Sequence, residues 1–403
     1  MRSHVLENVE LWDGDSAQGP STIEWSDGGG TDGTIVAVRP SESAQAPRFA
    51  VIPGLIDTHV HLIGHAGEGR VDFLTWPLTT RPEEQVLHGL AHARQAAQAG
   101  VTTLRDLSAD EIQFSLARAL DAGIVDGPRV LAHGMVSMTA GHGDLFVPPA
   151  VAARKPVADG VDECRKLVRQ WARAGADGVK IATSGGVLSV GDKSSWRNHT
   201  RAEIAAIVDE AHALGMLVAA HAHTEQGIGI ALDEGVDSIE HGTLVSPAQA
   251  ERIAARGVSI APTLLINDRI AAGQFGVTPE QAAKASALVA ERDALMRSAA
   301  DAGVDFVLGT DANGHHIGFA DQMAEVRAMA STLGWSAERA MQAATTRAAR
   351  TIRRGDSLGR VREGFAADFV VMRGRPWRDI RELDTSGIVA VVSRGRVVAG
   401  ELP

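Results

Sequence analysis

An α/β fold is predicted: a (β/α)8 TIM barrel with a small β-sandwich formed from the N- and C-terminal segments. Three observations carry this. Between residues 51 and 308, eight short apolar runs alternate with helical patterns, the signature of a parallel sheet. Eight such units in about 300 residues fit a closed barrel, and no phosphate-binding glycine fingerprint follows any run, which disfavours an open doubly wound sheet. Residues 1–48 are rich in Gly, Ser and Asp around short extended pieces, residues 355–403 carry β runs with turn residues between them, and neither end can bury a core alone.

The elements follow in order. Val51–Ile56 is the first strand. Glu84–Gln98 is an amphipathic helix closed by Gly100. Val101–Leu104 and Arg129–Ala132, after the stop Gly127-Pro128, are the second and third strands. Glu163–Ala174 is helical and Gly178–Ile181 extended. Arg201–Leu214 is a helix opened by Thr200, with Glu203 completing a capping box. Leu217–Ala220, Val236–Ile239, Val258–Ala261 and Asp305–Leu308 supply strands five to eight. Helices Gly227–Glu234, Pro247–Arg256 and Pro279–Asp301 separate them, and Ala320–Leu333 and Ala337–Arg353 close the barrel. The boundaries are 49–354 for the barrel, and 1–48 with 355–403 for the sandwich, the latter carrying Thr34–Val38, Ala367–Met372, Ile388–Ser393 and Gly395–Ala399.

Composition narrows the function. The formal charge of -11 argues against nucleic acid, which needs a basic face. No run of about 18 apolar residues spans a bilayer, and the first residues lack a secretory signal's apolar core, so a cytoplasmic protein with a small-molecule substrate is expected. Cys164 is the only cysteine and forms no internal disulfide. A homo-oligomer is compatible with the Ala-rich helices, which also pack within barrels.

A barrel carries its chemistry at the C-terminal ends of its strands. His59 and His61 follow the first strand, and alternation aims both to one side. Lys180 stands on the fourth strand, His221 ends the fifth, His241 the sixth and Asp311 the eighth. Each alone has a bland reading, a hydrogen-bonded strand end or a helix cap. Together, six candidate ligands converge on one mouth, and neutral imidazoles suit zinc.

Pro53-Gly-Leu-Ile-Asp-Thr-His-Val-His61, with Lys180, His221, Glu240-His241-Gly242 and Gly309-Thr-Asp311, resembles the amidohydrolase superfamily over nearly the whole chain. Thr102–Asp106, Thr139–Asp144 and His221–Thr224 make it similar to that superfamily's prolidase and imidazolonepropionase-related group. The resemblance implies two divalent metal ions, zinc first among the candidates, bridged by a carboxylated Lys180. His59 and His61 would hold one ion, and His221 and His241 the other. It also implies a metal-activated hydroxide with Asp311 as general base and then acid. A second-shell lysine beside a single ion is the alternative for Lys180. Those relatives lead one to expect a substrate-contacting tyrosine near residue 199, and this chain has no tyrosine.

Candidate substrate-binding residues are His142, in a glycine-flanked loop, His223, His199 in place of the tyrosine, and Arg197, whose guanidinium suits a carboxylate. Solvated loop positions are the alternative for His142 and Arg197. Phe73 and Trp76 wall an apolar pocket or pack a loop, with His315 and His316 at its rim. His4, His88, His92, His133 and His212 read as structural, and Arg105 and Asp106 as an ion pair. The expected reaction is cleavage of an amide C–N bond in a dipeptide or N-acyl amino acid. The alternatives are a cyclic amide or lactam, deamination of a heterocycle, and ester or organophosphate hydrolysis. A non-enzymatic barrel is disfavoured, because structural zinc sites are closed and often cysteine-rich.

Overall fold

The computed structural model describes residues 2–29, 32–69, 71–148, 150–151, 155–189 and 191–403. In chain order the strands are β1 Ser3–Trp12, β2 Ala17–Ser26, β3 Ile35–Pro40, β4 Ala50–Pro53, β5 Leu55–Val60, β6 Val101–Ala109, β7 Arg129–Met135 and β8 Gly178–Ala182. They continue with β9 Leu217–Ala222, β10 Ser238–His241, β11 Ser259–Ala261, β12 Asp305–Phe306, β13 Phe369–Met372, β14 Ile388–Ser393 and β15 Arg396–Gly400. Strands β5 to β12 form one parallel sheet in chain order. Its edges are also joined: Thr58 N–H donates to the Leu308 carbonyl at 2.9 Å, Asp311 N–H to His59 O at 2.8 Å and His61 N–H to Ala312 O at 2.7 Å.

The two chain ends pair in a single mixed sheet of order β15-β14-β13-β4-β1-β2-β3. Main-chain bonds from Gly33 N–H to Arg394 O and from Ala367 N–H to Gly33 O bring its flanks together. They enclose one apolar core that includes Trp25, Ile35, Phe369 and Val392.

The run Val51–Ile56 is likewise two strands. Gly54 separates them, and a Cβ there would lie 2.2 Å from the Thr102 side chain. Residues before it serve the mixed sheet, and residues after it serve the parallel one. A continuous apolar run is what burial on both sides requires, so hydrophobicity alone does not mark the switch.

Helices cover the parallel sheet. Val161–Ala174 buries Cys164, Leu167, Val168 and Trp171, a helical stripe, and stops at left-handed Gly175. The Thr200–Glu203 capping box opens Arg201–Ala213 as expected. Helix Glu111–Asp121, capped by Asp110 and Gln113, was not singled out in the sequence. The expected helix Ala337–Arg353 is broken into Ala337–Ala343 and Thr346–Thr351. No helix among the described residues is long and apolar enough to cross a membrane.

Candidate metal centre

At the C-terminal edge of the parallel sheet, β5 presents His59 and the residue after it, His61. Asp57 fastens this strand to the segment carrying Asp311 by accepting from Thr310 N–H at 3.1 Å and Thr310 Oγ1 at 2.6 Å. Gly309 allows the approach, since a Cβ there would meet His59 Cβ at 2.9 Å. His61 Nε2 then lies 2.9 Å from Asp311 Oδ1, and His59 Nε2 3.6 Å from the same oxygen.

The other donors arrive from β8 to β10. His221 Nδ1 and His241 Nε2 face each other at 2.9 Å. His223 stacks on His241 with centroids 4.3 Å apart. Donor atoms of His221, His223 and His241 fall within 4.8 Å of one another, as do those of His59, His241 and Asp311. Lys180 is buried on β8, and its charge acts on His59, His142, His223 and Asp311.

These residues fit metal ions in a specific way. In each of five imidazoles one nitrogen sits against a protein oxygen. His59 Nδ1 is 2.9 Å from Glu240 Oε2, His61 Nδ1 2.8 Å from Ser108 Oγ, and His241 Nδ1 2.8 Å from Thr263 Oγ1. His223 Nδ1 is 2.8 Å from Thr243 Oγ1, and His221 Nε2 3.3 Å from Gly185 O. The outer partner fixes each ring's orientation and leaves its second nitrogen for an ion. Burial pushes His59 down to about 4 and His223 to about 3, and holds His221 and His241 well below the ordinary range. All four are therefore neutral imidazoles at neutral pH.

The carboxylates stay charged. Against their burial, Arg105 and His59 hold Glu240 below the usual carboxylate range, and His59 and His61 do the same for Asp311. Burial lowers Lys180 to about 8. Backbone strain concentrates here: His241, Thr263 and Asp311 have φ of 72°, 48° and 58°, the left-handed region. Such residues persist only where their surroundings over-determine them.

Of the candidate substrate-binding residues, the structure brings two to this cluster. His223 lies among the donors, and His142 stacks on His221 with centroids 4.1 Å apart. Asn198, which sequence reasoning passed over, places the His142 loop by accepting its N–H at 2.7 Å and donating to Ser184 O at 2.7 Å. His199 is turned elsewhere, its Nε2 3.1 Å from Ala158 O, and Arg197 is exposed.

Arg105 does not pair with Asp106. It is buried and binds Glu240 at 2.8 Å, whereas Asp106 accepts from Leu62 N–H at 2.8 Å and Ser108 N–H at 2.9 Å. Strand alternation sends these neighbours to opposite sides. A cavity of about 210 Å³ is lined by Val71, Phe73, Trp76, Phe275 and His315, and by Gly64 and Gly314, which follow His61 and Asp311 in sequence.

A parallel sheet gathering histidines, a lysine and an aspartate at its C-terminal edge defines an enzyme that works with metal ions. The chain belongs to the amidohydrolase family, whose profile matches residues 50–398. It is similar to ochratoxinase from Aspergillus niger, 31% identical over 366 residues covering 86% of this chain and 74% of that protein. It is 26% identical to imidazolonepropionase from Chloroflexus aggregans over 91% of this chain and 88% of that one. Among solved structures, a prolidase complexed with N-methylphosphonate-L-proline superposes with a TM-score of 0.87 at 31% identity, over 99% of this chain and 100% of that one. A Xaa-Pro dipeptidase with methionine bound in its active site gives 0.86 at 28%, over 98% and 99%.

Proposed function

We propose that this chain is a binuclear metal-dependent amidohydrolase that cleaves the amide C–N bond of a dipeptide or N-acyl amino acid, at the mouth of a (β/α)8 barrel. The observation that carries the reading is the set of five imidazoles, each anchored through one nitrogen and turning the other toward Asp311 or a neighbouring imidazole. The likeness to ochratoxinase, a prolidase and a Xaa-Pro dipeptidase supports the amide class.

His59, His61, His221, His241 and Asp311 would hold two divalent ions, with zinc the best match to these donors. His223, grouped with His221 and His241, would be a further donor to the ion held by that pair. Bound there, such ions lower the pKa of water and polarise a carbonyl.

Lys180 would supply the anion shared by the two ions. A buried amine near pKa 8 has an accessible neutral form, which forms an N–C bond to carbon dioxide and releases one proton, leaving a carbamate. Asp311, held ionised, accepts a proton from water and passes it to the departing nitrogen. His142, stacked on His221, meets the substrate's carboxylate or carbonyl. The cavity takes an apolar group of the substrate against Val71, Phe73, Trp76 and Phe275.

The test is a product screen. Protein loaded with zinc and bicarbonate is offered dipeptides, N-acyl amino acids and cyclic amides, and products are read by mass spectrometry. Release of a free amino acid is expected. Ring opening alone would move the substrate to the cyclic amides, which the likeness to imidazolonepropionase keeps in view. No turnover of any amide by fully metallated protein would overturn the proposal.

A further inference from the structure

We propose that Glu325 is a positioning residue for the metal-binding nitrogen of His241, acting through Thr263. The inference rests on reading His241 as a ligand, but it concerns a residue that touches no member of the donor set.

Thr263 is the N-cap of helix Leu264–Ala271. An N-cap threonine ordinarily turns its hydroxyl back to accept an N–H of the first helical turn. Thr263 makes no such bond. Its backbone is left-handed, with φ 48° and ψ 54°, and its hydroxyl lies 2.8 Å from His241 Nδ1. The helix start is thus deprived of its own cap.

Glu325, on helix Gln322–Leu333, supplies the cap from outside. It is fully buried, and its two oxygens accept Leu264 N–H at 2.6 Å and Leu265 N–H at 3.0 Å. Asn267 Nδ2 adds a bond to Thr263 O at 3.1 Å, and Arg292 one to Leu264 O at 3.3 Å. With the first two N–H groups satisfied by Glu325, the Thr263 hydroxyl is released to fix the orientation of His241. Remove Glu325, and the Leu264 and Leu265 N–H groups lose their acceptors and draw on the Thr263 hydroxyl, which leaves the imidazole as the backbone relaxes toward the extended form of an ordinary N-cap.

The experiment loads the full chain with Co2+ and measures visible absorption and affinity by chelator competition, for Glu325→Ala, Glu325→Gln, Thr263→Val and Glu325→Ala/Thr263→Val. Glu325→Ala is expected to weaken one of the two ions by about 10–100-fold, the size of effect such outer partners have, and to alter that ion's absorption band. Glu325→Gln keeps an acceptor and is expected to restore most of the affinity. Thr263→Val is expected to match Glu325→Ala, with no further loss in the double variant.

An unchanged Co2+ spectrum and affinity in Glu325→Ala would overturn the proposal. So would loss of both ions in step with a fallen melting temperature, or fully additive losses in the double variant. If Glu325→Ala does not fold, Thr263→Val and Glu325→Gln decide: a band shift in Thr263→Val beside a near-wild-type Glu325→Gln is expected, and an unchanged spectrum in Thr263→Val would break the link. His241→Asn is the control: unchanged Co2+ binding there would remove His241 as a ligand and identify the parent reading as the failure.

Discussion

Glu240 sets one carboxylate oxygen 2.9 Å from His59 Nδ1 while Arg105 holds the other at 2.8 Å. The three residues are buried and come from β10, β5 and β6, so a single carboxylate ties three strands together beneath the edge that gathers the candidate donors. Its negative charge also strengthens the imidazole as a donor, because the proton on Nδ1 is partly drawn away.

Glu240→Gln keeps the shape and removes the charge. It is expected to weaken binding of the ion at His59 by about 10–100-fold. It also strands the Arg105 guanidinium in the interior, a defect of roughly 3–5 kcal/mol. Metal titration followed by urea unfolding separates the two losses. Normal affinity in a destabilised variant would make Glu240 a structural ion pair only.

Asp311→Asn is expected to retain metal but to lose about 10²–10⁴-fold in turnover, the range for a removed general base. Metal analysis beside steady-state kinetics on the substrate found by the product screen checks this. Near-normal turnover would remove Asp311 from the chemistry.

Lys180→Ala is expected to lose the bridging anion and most activity, with partial return on adding a short carboxylate such as acetate or propionate. Wild-type protein depleted of bicarbonate is expected to regain activity when bicarbonate is restored. If neither manipulation changes metal content, Lys180 acts as an ammonium beside a single ion.

Stability is expected to depend on pH through the buried histidines. Burial lowers His92 to about 4, and its Nε2 sits 3.3 Å from Gly64 O. The folded chain binds fewer protons there than the unfolded chain, whose histidine titrates near 6.5. Its favourable contribution is therefore complete above about pH 6.5. It is lost as pH falls toward 4, at about 1.4 kcal/mol per unit. Urea unfolding of metal-free protein between pH 7 and 4.5 should show this, and His92→Gln should flatten the slope by about one proton. An unchanged slope would exclude His92 as its source.

Strand alternation and helix-period stripes made the parallel sheet legible, because both follow from burial. The converging donors were legible for the same reason: a ligand at a strand end keeps its place in the order of strands. What escaped depends on contacts across the sequence. Arg105 and Asp106 are adjacent charges, so pairing them was natural, yet the partner of Arg105 is Glu240, 135 residues away. The role of Asn198, caught between His142 and Ser184, leaves no local pattern. His199 has the chemistry of a substrate donor but was placed by loop packing, which periodicity does not report.

The junction at Gly54 has a consequence for folding. The strand that leads to His59 continues directly from β4, whose antiparallel partner β13 follows the whole parallel sheet in sequence. The side of the centre built on β5 therefore gains its support from behind only when a pairing of long sequence separation closes, and His59 takes its final place with it.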